Sequence, residues 1–538
     1  MQHYTGMQSI VKTSATASIV ALLSFMECFA AIVRVPADRN SIQSALNNIV
    51  DGDTILVSAG TYVEELTAPN FGFSLFGDVE PDTGLFARPI IDPSGLFEPT
   101  ARSCLKDLRG NVVIERMWFR NGPPMFPHVE SVVGGIKNES ANLVMRDCVF
   151  DSTYRGVVSY TSSVTLERCA FRKCTRNCVY MANATLYATE CQFESVETDW
   201  ASVIGGPGTQ IEHCNWHGDM GHWGWWLAVG GTNWHVWDNT FGPGGGSREA
   251  LVRLAGPSGV FENNLFQNCM TQRALVEVQP QCGGLVEMRN NSFFSNLIDG
   301  EEWAGTMGVA VSAQYDSFTL CSQAAVIGNT FFANQGGSVV KGVLTVGHDI
   351  IAGNSFRELG PGDQWTVMAQ DGDPALIDNM FFENGKAVYS EFGSSINAEY
   401  NFWGHSSGPF HPLLNPLGQG DEVGDNVDFD PWYMDTLFTI ESVEPRALLP
   451  ESASLTAFPN PFNAVTTLRL TLPRAGIARV ELFDITGRRL KELWSGAIGE
   501  TREIRFDGTN FASGMYFVRA WDPLGNRMWG ATKIVILK

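Results

Sequence analysis

The sequence predicts an all-β protein: a right-handed parallel β-helix solenoid followed by a small antiparallel β-sandwich. Three observations carry that reading. A short phrase recurs at nearly constant spacing, the runs between its copies favour strands and turns, and the recurrence stops before a last segment with a different alternation. The phrase stands out in Val144-Met-Arg-Asp-Cys-Val-Phe150, Thr165-Leu-Glu-Arg-Cys-Ala-Phe171, Tyr187-Ala-Thr-Glu-Cys-Gln-Phe193 and Ile211-Glu-His-Cys-Asn-Trp216. The Cys slot then becomes Asn, in Asn239-Thr-Phe241, Asn264-Leu-Phe266, Asn291-Ser-Phe293, Asn329-Thr-Phe331, Asn354-Ser-Phe356, Asn379-Met-Phe381 and Asn401-Phe-Trp403.

Successive slots are 21 residues apart from Cys148 to Cys169, then 22 to Cys191, 23 to Cys214, and 25 to Asn239 and again to Asn264. Periods of that size mark a solenoid. Each unit carries short β-favouring runs, such as Gly156-Val-Val-Ser-Tyr160 and Ala250-Leu-Val-Arg-Leu254, broken by Gly, Pro, Asn and Ser. One coil per phrase stacks equivalent residues at the strand spacing of about 4.8 Å. A buried Asn at such a turn passes amide hydrogen bonds from coil to coil, whereas Cys packs there as a small apolar residue. The aromatic two places on forms a stacked row. The slot is therefore architectural, and its four cysteines are expected as buried free thiols, with Cys174–Cys178 and Cys269–Cys282 left open as pairs in an exported chain.

The elements can be taken in order. Lys12 precedes an apolar run, Ala17-Ser-Ile-Val-Ala-Leu-Leu-Ser-Phe-Met26, that ends on Ala30 and Ala31, so residues 1–31 read as a signal peptide, too short to span a bilayer. Ser41 caps a short helix that places Ile42, Ala45, Leu46 and Ile49 on one face and covers the open end of the first coil. Asp51-Gly-Asp-Thr-Ile-Leu-Val57 and Gly60-Thr-Tyr-Val63 begin the coils. With these residues the chain resembles pectate-lyase-like β-helix proteins, a resemblance running from about Val35 to Trp432. Its far end, Asn401-Phe-Trp-Gly-His-Ser-Ser-Gly-Pro-Phe-His-Pro412 and Gly420-Asp-Glu-Val-Gly-Asp-Asn-Val-Asp-Phe-Asp-Pro-Trp432, is similar to the closing segment of secreted bacterial β-helix proteins. The β-helix is assigned to residues 32–435 and a linker to 436–453.

From 454 to 538 the sequence alternates as an antiparallel sandwich does, in Thr466-Thr-Leu-Arg-Leu-Thr-Leu472, Ala478-Arg-Val-Glu-Leu-Phe483 and Gly514-Met-Tyr-Phe-Val-Arg519. Its landmarks are Phe458-Pro-Asn-Pro-Phe-Asn463, Phe483-Asp-Ile-Thr-Gly-Arg-Arg489, Ala512-Ser-Gly-Met-Tyr516 and Lys533-Ile-Val-Ile-Leu-Lys538. These resemble a type IX secretion C-terminal sorting domain of Bacteroidetes and related Gram-negative bacteria. The resemblance implies handling by the type IX machinery and a secreted or outer-membrane-surface location.

Composition narrows function. A net charge of -22 argues against nucleic acid, which needs a basic face. No nucleophile elbow, phosphate loop or dinucleotide fingerprint is present, so no organic cofactor is expected. Aligned strands place Ala228, Arg253 and Glu277 in one outward column and Glu249 above Arg273 in another. Either these form a surface ion-pair ladder, or Arg253 or Arg273 neutralises a uronate carboxylate while Glu277 or Glu249 handles a proton. The richest segment is His217-Gly-Asp-Met-Gly-His-Trp-Gly-Trp-Trp226, continuing to Trp234-His-Val-Trp237. Here Asp219 and His222 are the candidate acid and base, and Trp223, Trp225 and Trp234 the candidate sugar-stacking indoles. Asp199 with Asp219, or Asp299 with Glu301 and Glu302, could serve glycoside hydrolysis. Asp421, Asp425 and Asp428, with Glu422 and Asp430 nearby, offer oxygens for calcium, but their spacing is neither an EF-hand nor a nonapeptide repeat, and a solvated acidic loop is the better reading. The expected function is engagement of extracellular polysaccharide or another surface. A polysaccharide lyase or glycoside hydrolase and a non-catalytic surface component are the alternatives.

Overall fold

The computed structural model describes residues 30–78, 88–96, 103–121, 134–196, 201–219, 224–298, 309–313, 323–336, 340–359, 363–391, 393, 395–436, 454–460, 462–471, 476–483, 489–498, 501–509, 511, 513–522 and 527–537. The signal-peptide assignment, apart from Ala30 and Ala31, and the linker, apart from Thr436, lie outside the described residues. The chain divides into two compact units, residues 1–436 and 437–538.

The first unit is a parallel solenoid whose strands fall into sheets of 27 and 16 among the described residues. The larger sheet supplies two faces of the coil, because its long strands bend from one to the other. Strand Gly134–Arg146 pairs through Gly134–Asn138 with Arg155–Ser159 and through Leu143–Arg146 with Val164–Glu167. The smaller sheet is the third face, built of runs such as Val149–Asp151, Ala170–Arg172 and Leu265–Gln267, each centred on a phrase aromatic. At the N-terminal end the helix Ile42–Leu46 buries Ile42, Ala45 and Leu46. Ser41 Oγ accepts from Ser44 N, and Glu64 accepts from the amides of Ile42 and Gln43.

The slot residues sit where the second face turns into the third. The residue before each slot adopts the left-handed region: φ is 53° at Asp147, 51° at Arg168, 54° at Glu190, 52° at His213, 53° at Asp238, 56° at Asn263 and 57° at Asp378. An L-residue there costs about 1 kcal/mol or more. The ladder offsets it. Each slot amide donates to the Oδ1 of the next slot, from Cys214 to Asn239 (2.9 Å) through Asn239 to Asn264 (3.0 Å), Asn291 to Asn329 (2.8 Å) and Asn379 to Asn401 (2.8 Å). Beneath it, rings stack from Phe119 to Trp403 with centroids 4.6 to 5.2 Å apart between neighbouring coils.

A second ladder runs five residues further on. Cys269 N donates to Asn296 Oδ1 (2.9 Å), Asn296 N to Asn334 Oδ1 (3.1 Å), Leu359 N to Asn384 Oδ1 (3.3 Å), and Asn384 N to Asp421 Oδ1 (3.1 Å). Thr153 and Cys174 hold the same position earlier and touch at 3.3 Å. Cys174, Cys178 and Cys269 are buried and free, so the Cys174–Cys178 pair is not formed; the Cys282 side chain lies outside the description.

The second unit has antiparallel sheets, one ordering Ser454–Phe458, Val465–Thr471 and Thr501–Asp507, the other ordering Arg489–Ile498, Gly476–Phe483, Gly514–Asp522 and Arg527–Ile536. Leu468, Val480, Val518 and Ile534 fill its core. Asn460, within the Phe-Pro-Asn-Pro landmark, ties down the last strand by donating to Lys533 O and accepting from Val535 N.

Two predictions follow from the ladders. Asn329 Oδ1 accepts from both N and Nδ2 of Asn291, while its own amide group donates to Met288 O, Ile327 O and Asn354 Oδ1. Asn329→Leu strands these buried partners and should cost about 2–4 kcal/mol. Because a solenoid loses stability locally, the loss should register as faster amide hydrogen exchange in the coils of Asn291 and Asn354. At the ladder's end, burial pushes the Asp421 carboxyl above its ordinary range, against hydrogen bonds from Asn384 and Gly385 and the charge of Lys341. The folded state thus holds that proton more tightly than the unfolded chain, and Asp421 contributes a loss of stability as pH rises through this window. Between about pH 4 and about pH 7, the Tm of Asp421→Asn relative to the parent should move in the variant's favour.

Candidate functional site

Outward residues on each face are fixed by the ladder register, and the anticipated columns can be followed on the first face. Ala228 pairs with Arg253, and Arg253 with Glu277, as alignment anticipated. The side chains pair otherwise. Arg273 bridges Glu249 (2.8 Å) and Glu277 (2.8 Å). Arg253 instead donates through Nε to Gln279 Oε1 at 3.0 Å and lies 5.8 Å from the Trp225 ring centroid. Glu277 is only 2% exposed, so Arg273 is the cation that compensates its burial. In this arrangement Arg273 alone serves the two glutamates as an ion-pair ladder would, while Arg253 is held by Gln279 and the Trp225 ring.

The aromatic candidates separate. Trp225 is partly exposed beside Arg253, but Trp234 is 1% exposed, with Nε1 donating to Ala255 O at 2.9 Å. Trp234 is a core residue and presents no ring face to a sugar: its strand runs with Trp234 and Val236 inward and His235 and Trp237 outward. His222 and Trp223 lie outside the described residues, as do Asp199, Asp299, Glu301 and Glu302. The acidic trio does not assemble as expected for calcium. Asp421 is buried at the ladder end, Asp425 is exposed with one oxygen 3.4 Å from His411 Nε2, and Asp428 is exposed on strand Val427–Asp428. Among the described residues no group of three or more His, Cys, Asp or Glu side chains is gathered for a metal ion.

The alternation missed a site on the third face. The residue after each phrase aromatic points outward, which aligns Asp151 with Arg172 and Glu194 with His217 on successive coils. Together with Lys173, Gln192 and the edge of Phe171 they line an open cleft of about 380 Å³. It lies beside strands that run past the usual second turn, Gln192–Val196, Asn215–Asp219 and Thr240–Ser247. Asp219 is exposed at the end of one of them, two residues after His217 and beyond Gly218, whose φ of 95° turns the chain there. Among the described residues Arg172, Lys173, Glu194 and His217 form no ion pair within 4 Å. The signal was available in the sequence as the residue following Phe150, Phe171, Phe193 and Trp216.

The two clusters differ in a testable way. Arg273→Ala should destabilise the coils around Glu277 by about 2–3 kcal/mol, since it leaves a buried carboxylate without its cation, and denaturant unfolding would show it. Arg172→Ala, which breaks no pair, should leave stability within about 0.5 kcal/mol of the parent.

Comparison with known proteins agrees with this architecture. Residues 155–402 match the family described as right handed beta helix region, and residues 456–534 match the secretion system C-terminal sorting domain. No curated protein matches the chain. Among solved structures, a mutant tailspike protein of E. coli bacteriophage HK620 is 11% identical with a TM-score of 0.30, over 86% of this chain and 87% of that one. Another mutant of that tailspike, in complex with a pentasaccharide, is 11% identical with a TM-score of 0.31, over 86% of this chain and 88% of that one. Likeness at this level assigns no ligand here. The sorting domain marks the chain as cargo of the type IX machinery, secreted or held at the cell surface, and among the described residues no helix is long and apolar enough to cross a membrane. The chain is a right-handed parallel β-helix protein carrying a secretion-system C-terminal sorting domain.

Proposed function

We propose that the exported β-helix binds an extracellular polysaccharide across its third face, with Arg172 and Lys173 meeting acidic groups on the sugar chain. One observation carries this reading: the cleft holds two cations, two carboxylates and an imidazole that are not engaged with one another. Elsewhere on the solenoid arginines are spent on neighbours, as Arg146 is on Glu115 and Glu167, Arg168 on Asp147, and Arg273 on Glu249 and Glu277. Unpaired charges in a concave site have their hydrogen-bonding capacity left for a ligand. Gln192, Glu194 and Asp151 supply partners for hydroxyl groups around that contact.

A catalytic reading has its own support. Glu194 and His217 are register neighbours, so an imidazole, a carboxylate and the Arg172 guanidinium occupy successive coils. A cation that neutralises a uronate, next to a group able to take a proton, is the arrangement β-elimination requires.

Both readings are addressed by incubating the full chain with acidic and neutral polysaccharides, with and without calcium, measuring retention and searching for new chain ends by mass spectrometry. Binding of an acidic polymer that weakens about tenfold or more in Arg172→Ala/Lys173→Ala, and weakens with added salt, is the expected result. Shortened products with unsaturated ends, lost in His217→Ala, would establish the lyase. Equal binding by parent and double variant would remove the cleft from consideration.

A further inference from the structure

The second face carries aromatic and polar groups on the same coils as the cleft, and neither the ladder nor the core uses them. The outward column of this face runs Thr165, Tyr187, Gln210, His235 and Val260, beside a parallel column of Glu167, Thr189, Glu212, Trp237 and Glu262. Tyr187 is 40% exposed. His235 and Trp237, two residues apart on one strand, stack with ring centroids 4.2 Å apart, and His235 Nε2 is 2.7 Å from Glu262 Oε1. The imidazole is thereby fixed from two sides and holds one face of the indole, which restricts Trp237 to a defined orientation. Among the described residues the side chains of Tyr187 and Gln210 carry no hydrogen bond, and Glu212 receives only one, from Thr189 Oγ1.

We infer that Tyr187, Gln210, Glu212, His235 and Trp237 form a second glycan subsite, specific for neutral pyranose units. The surface selects against the alternatives. Aromatic rings bury a sugar's apolar face while leaving its hydroxyls at the edge, and the partners at that edge are acceptors: Glu212, Glu262 and the Gln210 carbonyl. The register neighbours of Trp237 are Glu212 and Glu262 themselves. An anionic sugar would meet two carboxylates at close range, whereas neutral hydroxyls donate to them in charge-assisted bonds. A nucleic acid is excluded on the same ground. Tyr187 lies two coils from His235, about 10 Å by the strand spacing, so nearby units of one sugar chain, not adjacent ones, can meet both rings. Partly exposed Trp237 and Tyr187 sit over a sheet whose inward residues, Leu186, Ala188 and Val236, already fill the core, so binding needs no rearrangement of the coil.

The subsite stands independently of the acidic-sugar reading of the cleft, and variants separate them. The full chain would be titrated calorimetrically with neutral gluco-, manno-, galacto- and xylo-oligosaccharides, using the parent, Trp237→Ala, Trp237→Phe, Tyr187→Ala and Arg172→Ala. At least one neutral oligosaccharide should bind the parent. Trp237→Ala should weaken it about tenfold or more, Trp237→Phe should restore most of the loss, and Arg172→Ala should leave it within about twofold. Absence of binding by every neutral oligosaccharide, or unchanged affinity in Trp237→Ala, would overturn the subsite without touching the cleft. Loss in Arg172→Ala equal to that in Trp237→Ala would overturn its independence.

Discussion

The solenoid depends on one recurring constraint: the chain must turn through the left-handed region at the corner before each slot, with a side-chain-bearing residue everywhere but at Gly328 and Gly353. That backbone is unfavourable, it recurs on coil after coil, and its amides are buried where water cannot satisfy them. The ladder resolves both problems at once. Each Asn accepts from the coil before it and donates to carbonyls around its own turn, so every strained corner is held by its neighbours. Register along three faces then follows, because fixing the corner fixes which residue of each strand points outward.

Cysteine and asparagine solve the corner differently. Cys148 Sγ faces Ile114 O and Arg146 O, and Cys214 Sγ faces Ala188 O and Glu212 O. Asn239 Nδ2 meets the equivalent carbonyls, Ile211 O and Trp237 O. The thiol thus reproduces the donor half of the amide with weaker, longer contacts and supplies a poor acceptor, as in Cys191 N to Cys214 Sγ at 3.3 Å. Burial also drives the Cys148, Cys191 and Cys269 thiols well above their usual range, which keeps them protonated and suited to donate.

This constraint also explains what the sequence revealed. The first ladder was legible because its slots share a chemistry and a fixed aromatic offset. The second was not, since Thr153, Cys174, Cys269, Asn296, Asn334, Leu359, Asn384 and Asp421 have no common residue type; only Asn-x-Phe-x-x-Asn at 291, 329 and 379 betrays it. Its last member explains why Asp421 is no free oxygen donor for calcium. Trp234 was misplaced because Trp234-His-Val-Trp237 offers an indole on either phase of the alternation, and only packing against Gly259, where a Cβ would overlap the indole, selects the inward one. The Arg253 partner was missed because a guanidinium reaches past its register neighbour to Gln279.

The distribution of paired and unpaired charge is what turns this scaffold into a surface with a preference. With a net charge of -22, long-range fields disfavour a dense polyanion, so Arg172 and Lys173 act only at contact, within a Debye length of about 8 Å at physiological salt. Around the corner marked by Glu190, His213 and Asp238, the same coils present carboxylates and stacked rings rather than cations. On the two proposals above, a glycan that crosses from one face to the other would meet both a cationic contact and a neutral-sugar platform. That combination suits a glycan with sparse acidic groups better than a uniformly charged polymer. The ladder makes such discrimination possible, because it holds two chemically opposite surfaces a few residues apart along each coil.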